Sequence, residues 1–170
     1  MQLRNREFGA REVSDVGGFP YQTLVDRDRS GLVKPSLARK KGTKGDKGEK
    51  GQRRYSLNDC VAALIADTTQ HIGLGDAVPE IVAMVQRGNR EELRNAVIVC
   101  AYTKGQRHFM QNFFFSDKAH TATAALIEEW RADDRIISEA TLEQLCMVVL
   151  KRIHAKYVQD SLAGTLLEAS

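Results

Sequence analysis

Apolar residues first recur at helical spacing in GAREVSDV (9–16), where Ala10, Val13 and Val16 share one face and Gly17-Gly18 ends the pattern. The next stretch, FPYQTLVDRDRSG (19–31), predicts a second short helix. Pro20 suits its first turn, where a missing N–H costs no hydrogen bond. Leu24 gives it an inner face and leaves Gln22, Arg27 and Arg29 outside, while Gly31 is a natural C-cap. Two short helices about a glycine turn, the second polar and basic, form a helix-turn-helix pattern.

From Ser36 to Arg54 the apolar pattern stops. SLARKKGTKGDKGEKGQRR is dense in Lys and Gly, and glycines 42, 45, 48 and 51 recur at every third position. Four such triplets without proline cannot hold a collagen-like triple helix, so the segment predicts a flexible loop that a polyanion would order. Helical periodicity returns at Tyr55. Ser56 and Asp59 read as a cap and first turn, and Val61, Leu64 and Ile65 share a face. Glycines 73 and 75 interrupt the pattern, then Pro79, Ile81, Val82 and Val85 predict another short helix ending near Gly88.

The segment NAVIVCAYTKGQRHFMQNFFFSD admits two readings. It fits two apolar strands around Lys104-Gly105, a hairpin. Leu93, Val97, Cys100 and Ala101 also fit one helical face, which would make 91–102 a helix; the hairpin is preferred. Residues 119–132 and 139–159 predict helices. In the last, Leu142, Cys146, Val149, Ile153 and Tyr157 form a stripe that serves either core packing or a partner chain. The expected fold class is mainly α with small β: a helix-turn-helix region followed by an α+β segment holding a β-hairpin and two helices.

Charge sharpens this division. Residues 1–54 hold 14 Lys or Arg against 7 Asp or Glu, a net of +7. Residues 55–170 hold 11 against 15, a net of −4, and together they give the net +3 of the 170-residue chain. A basic front half on an acidic back half is the footprint of a nucleic-acid-binding module joined to something else. No apolar run approaches the ~18–20 residues of a membrane span, and the first residues carry no apolar signal stretch, so a cytoplasmic, nucleoid-associated protein with no membrane partner is expected.

Candidate chemistry beyond binding is sparse. Cys60, Cys100 and Cys146 stand far apart in apolar or helical surroundings and read as small buried hydrophobes, with a thiol sensor as the alternative. His71, His108, His120 and His154 show no metal-ligand spacing, and no phosphate-binding loop, nucleophile elbow or dinucleotide fingerprint is present. Neither an enzyme nor a bound cofactor or metal is expected. Phe109, Phe113, Phe114, Phe115 and Trp130 could line an effector pocket, though a hydrophobic core is the preferred reading.

Residues 11–88 resemble the MerR-type winged helix-turn-helix family of transcriptional regulators. Glu12-Val13 stands at the family's helix start, Gly18-Phe19-Pro20 at its turn, Thr23-Leu24 inside its second helix, and Gly31-Leu32-Val33-Lys34-Pro35 at that helix's ending. Gly51-Gln52-Arg53-Arg54-Tyr55-Ser56, with Asp59 just beyond, matches the close of the wing. The chain departs from the pattern in a longer wing loop, in Gln52 at the first wing tyrosine, and in a longer turn after the third helix. The long coiled-coil helix expected after the fourth helix is not evident, which puts the family's usual dimer in question. The resemblance implies a DNA-binding domain at 1–88 with a wing loop at 39–54, and a dimerisation and effector-sensing region at 89–170.

On that reading double-stranded DNA is the main partner. Tyr21, Gln22, Arg27 and Arg29 are the base-reading candidates, Gln suiting adenine and Arg guanine by paired hydrogen bonds. For Arg27 and Arg29 the alternative is pairing with Asp26 or Asp28 on a solvated face. By resemblance Arg53 and Arg54 clamp phosphates, the nearest acid in sequence being Glu49. Tyr55 either donates its hydroxyl to a phosphate or plugs the core. Lys34, Arg39, Lys40 and Lys41 complete the DNA-binding set, with Lys44, Lys47 and Lys50 adding sequence-independent attraction. The Leu142, Cys146, Val149, Ile153, Tyr157 stripe is the expected homodimer interface, and RNA polymerase and an unidentified small-molecule effector are further expected partners. An architectural or excisionase-like DNA-binding protein is the first alternative; an RNA-binding or protein-adaptor module with a basic loop is the second.

Overall fold

The computed structural model describes residues 5–40, 52–103, 111–115, 120–133 and 135–168. The protein is mainly helical with two small antiparallel sheets. Its chain forms two compact units: 1–64 together with 147–170, and 65–146.

The first unit opens with β1 (Phe8–Gly9), α1 (Ala10–Gly17) and α2 (Tyr21–Arg29), followed by β2 (Leu37–Lys40) and β3 (Gln52–Tyr55). The Glu12 carboxylate fixes the start of α1: it accepts the Gly9 N–H at 2.7 Å and holds the Arg6 guanidinium at 2.8 Å. Gly18 ends α1 in the left-handed region, at φ 71°, and donates its N–H to the Ser14 carbonyl. Gly17 is required for a different reason. A Cβ there would lie 2.1 Å from the ring of Phe19, which folds back over this position and is buried. The sheet runs β1-β3-β2, with Phe8 opposite Tyr55 and Leu37 opposite Arg54. Val13, Val16, Leu24, Val25, Val33 and Tyr55 are buried, so α1 and α2 each turn one apolar stripe inward.

α3 (Leu57–His71) begins in this unit and ends in the second. A short 3₁₀ turn, Gly75–Ala77, leads to α4 (Val78–Arg87), whose Val78, Ile81, Val82 and Val85 are buried, and Gly88 caps it. α5 (Arg90–Asn95) follows, capped by the Asn89 side chain. β4 (Val97–Thr103) and β5 (Gln111–Phe115) form an antiparallel hairpin, so the strand reading of this segment holds and the helical one is confined to α5. α6 (His120–Ala132) and β6 (Arg135–Thr141) complete the sheet in the order β5-β4-β6. Val99, Ala101 and Trp130 make a buried cluster, with Val97, Ile127 and Ile137 packed on it; Trp130 is therefore a core residue. The side chains of Phe113, Phe114 and Phe115, and Phe109 altogether, lie outside the described residues.

The last helix, α7 (Leu142–Glu168), starts later than the 139–159 expected, because residues 139–141 pair with β4. Thr141 Oγ1 accepts the Gln144 N–H and Gln144 Oε1 accepts the Thr141 N–H, a reciprocal cap. Part of its apolar stripe is covered inside the chain. Leu142, Cys146 and Ile153 are buried within the single chain, and Tyr157 lies under the Arg6 guanidinium at 3.8 Å and beside the Phe8 ring. These four side chains of the stripe thus take part in packing within the chain, while Val149 is half-buried. These contacts, with the bond from Arg152 Nη2 to the Gly17 carbonyl, join the far part of α7 to the first unit. Among the described side chains of α7, the exposed large apolar ones are Met147 and Val148, 50% and 65% accessible.

All three cysteines are free and buried. Burial pushes the Cys60 thiol up to about 12 and Cys146 to about 11, with the nearby Asp59 and Glu143 carboxylates adding to each. Such thiols hold almost no thiolate near neutrality, which argues against a sensor.

Gly17→Ala is expected to destabilise the protein by about 1–3 kcal/mol, since the new methyl must push a buried ring off its rotamer. Urea unfolding measures this; an unchanged midpoint would mean that Phe19 moves aside at no cost.

Candidate nucleic-acid interface

The outward side of α2 is polar. Tyr21, Gln22, Asp26 and Arg29 are exposed, whereas Leu24, Val25 and Arg27 are buried. Gln22 Nε2 donates to Asp26 Oδ1 at 2.8 Å, and Arg29 Nη1 reaches the same oxygen at 3.5 Å. Two donors, an amide and a guanidinium, are thus gathered around one carboxylate oxygen. An ion pair as exposed as Arg29–Asp26 contributes only about 0.3–0.5 kcal/mol, so it orients the side chains without immobilising them.

Arg27 corrects the expected assignment. The sequence places it among the base readers, but only 6% of it is accessible. Its spacing of three from Leu24 puts it on the inner face. There its Nη1 donates to the Ala63 carbonyl in α3 at 3.2 Å, and its guanidinium lies 5.0 Å from the centre of the Phe19 ring. Arg27 therefore fixes how α2 rests on α3 and on the turn before it.

The two β3 arginines differ from expectation as well. Arg53 is ion-paired with Asp28 of α2, and Arg54 with Glu7 ahead of β1. The nearest acids come from distant parts of the chain, in place of Glu49, which lies outside the described residues. A phosphate approaching either arginine has to compete with a carboxylate. Tyr55 takes the core-filling role of its two readings: its side chain is fully buried opposite Phe8, and its hydroxyl has no hydrogen-bond partner among the described residues. Burial and the charge of Asp28 push that hydroxyl up to about 12.

Asp59 is more than part of the cap that its sequence position predicts. Its Oδ2 accepts the Ser36 N–H at 2.9 Å, the Ser36 hydroxyl at 2.6 Å and the Ser56 N–H at 2.8 Å. The Asp59 N–H in turn donates to Ser56 Oγ. Ser36 precedes β2 and Ser56 follows β3, so one buried carboxylate gathers both roots of the hairpin at the start of α3. Lys34 is exposed at the foot of the hairpin. Arg39 and Lys40 lie on β2 with their side chains outside what the structure describes, and Lys41, Lys44, Lys47 and Lys50 fall entirely outside the described residues.

Two outcomes follow. Arg27→Ala should cost about 2–3 kcal/mol in urea unfolding, from a lost buried hydrogen bond and an unfilled space, where a solvent-facing arginine would cost almost nothing. Stability should also depend on alkaline pH. Cys60, Cys146 and Tyr55 ionise at higher pH in the folded chain than their ordinary values of 9.0 and 10.0. The unfolded chain therefore loses these protons first, and stability is full below about pH 9 and falls as pH rises toward 12. Thermal midpoints measured from pH 7 to 11 check this; a midpoint that stays level to pH 11 would show that these groups are not shielded.

No protein-family model matches the chain, and no curated protein is significantly similar to it.

Proposed function

We propose that this protein is a sequence-specific, double-stranded DNA-binding transcriptional regulator of the winged helix-turn-helix, MerR-like kind, acting as a dimer. The observation that carries the reading is the coupling of α2, polar and exposed on one side, to the β2–β3 hairpin through Arg53 and Asp28 in a basic stretch of chain. A short helix with exposed Tyr21, Gln22 and Arg29 suits the major groove of B-form DNA, where each base pair shows its own pattern of donors and acceptors. The deep, narrow major groove of A-form RNA would not admit it. The hairpin and its Lys-rich connection would follow the phosphates, positioning the helix without specifying sequence. Residues 65–146, with their own sheet and core, are the natural seat of an effector or polymerase-facing role.

Dimerisation belongs to the same proposal. One short reading helix touches too few base pairs for a unique site, and two-fold pairing doubles the contacts. Leu142, Cys146 and Ile153 are buried inside the chain, and among the described side chains of α7 Met147 and Val148 are exposed large apolar ones that a second copy could cover.

Selection of bound duplexes from a random library tests the reading. A short two-fold symmetric consensus is expected, bound far more tightly than RNA of the same sequence. Gln22→Ala and Arg29→Ala should each weaken the selected site about tenfold and relax preference at one position per half-site, with little effect on scrambled DNA. Sedimentation should give a dimer. A protein that binds RNA and duplex DNA equally, or that yields no consensus, does not have this function.

A further inference from the structure

The chemistry of α2 poses a problem for any DNA-facing helix: its exposed side is centred on an acid. Asp26 is over half accessible, lies between Gln22 and Arg29, and would approach a polyanion. Helix stability does not account for it. Aspartate is a poor helix former, and near the C-terminal end of α2 its charge opposes the helix dipole. The bond from Gln22 offsets only part of this. Among the described residues Asp26 Oδ1 receives both Gln22 and Arg29, and Oδ2 has no hydrogen-bond partner.

We propose that Asp26 is a specificity-determining residue, accepting the exocyclic amino group of cytosine in the major groove while Arg29 beside it donates to the guanine of the same pair. The inference rests on the DNA-reading role of α2. A carboxylate is an acceptor only, and in the major groove only cytosine and adenine present an amino group. Guanine and thymine offer oxygen or nitrogen acceptors there, which repel it. Adenine sets its N7 acceptor next to the amino group, so the second carboxylate oxygen meets a like partner. Cytosine has no such neighbour. Its paired guanine presents O6 and N7, a match for the donors of Arg29. The acceptor and donor lying 3.5 Å apart on α2 thus form a pattern complementary to a C·G pair. The negative charge also weakens attachment to every sequence, which raises discrimination at the expense of affinity.

Two measurements test this. With the unaltered protein, each base is placed in turn at every position of the selected half-site. One position should rank cytosine first by about tenfold, adenine second, and guanine and thymine last. Selection is then repeated with Asp26→Asn, which keeps an acceptor for Gln22 and gains a donor. Its preference at that same position should move to adenine, whose amino group and N7 match an amide. Other positions should stay as they were, and scrambled DNA should be bound more tightly. A consensus unchanged by Asp26→Asn, or a uniform loss across all sequences, overturns the inference and leaves Asp26 as a surface staple. Failure of the unaltered protein to select any consensus overturns the DNA-reading role itself, and this inference with it.

Discussion

The first unit depends on one buried carboxylate oxygen. Asp59 Oδ2 takes three donors, from a serine that enters the hairpin, its hydroxyl, and a serine that leaves it. Hydrogen bonds to a charged acceptor are worth roughly 1.5–3 kcal/mol each, against about 1 for neutral pairs. The charge is tolerated inside because donors surround it and because it sits in the first turn of α3, where the helix dipole favours an anion. Without it the two strands would still pair, but their roots would lose the shared acceptor that draws them to the start of α3.

Arg27 plays the matching part for α2. A guanidinium placed between a backbone carbonyl of α3 and the face of Phe19 fixes the tilt and depth of the helix, and so decides which side chains look outward. The close approach of Phe19 in turn requires the missing side chain at Gly17. Exposed Tyr21, Gln22, Asp26 and Arg29 are therefore set by buried contacts they do not make. Asp28 and Arg53 carry that order onward, tying the helix to the adjacent strand.

Local chemistry was the legible part of this chain. The Gly17-Gly18 break, the Ser56 and Asp59 cap, the end of α4 at Gly88 and the β4–β5 hairpin all announce themselves over a few residues. Two signals were present but missed: Thr141 and Gln144 have the spacing of a reciprocal cap and mark where α7 begins, and Arg27 falls three residues from Leu24. An arginine on an inner face has to find distant partners, and nothing local reveals Ala63 or Phe19 as those partners. The same holds for Arg53 with Asp28, Arg54 with Glu7, and β6, which exists because β4 offers it an edge. The stripe on α7 is legible as apolar, but periodicity gives the face of a helix and not what covers it.

The route of α7 has a consequence for how the molecule comes into being. Phe8, Arg6 and Tyr157 meet in one unit although nearly the whole chain lies between them, so residues 65–146 stand as an insertion within the unit that carries α2 and the hairpin. During synthesis the inserted unit has its sequence available before Tyr157 leaves the ribosome, whereas Phe8, made earlier, waits for α7 to cover it. A fragment cut after the fourth helix would carry every residue of the α2 face, yet leave Phe8 without Tyr157, inviting chaperones or self-association. The inserted unit is joined to the α2-bearing unit by two covalent paths, α3 and α7, rather than by a single linker.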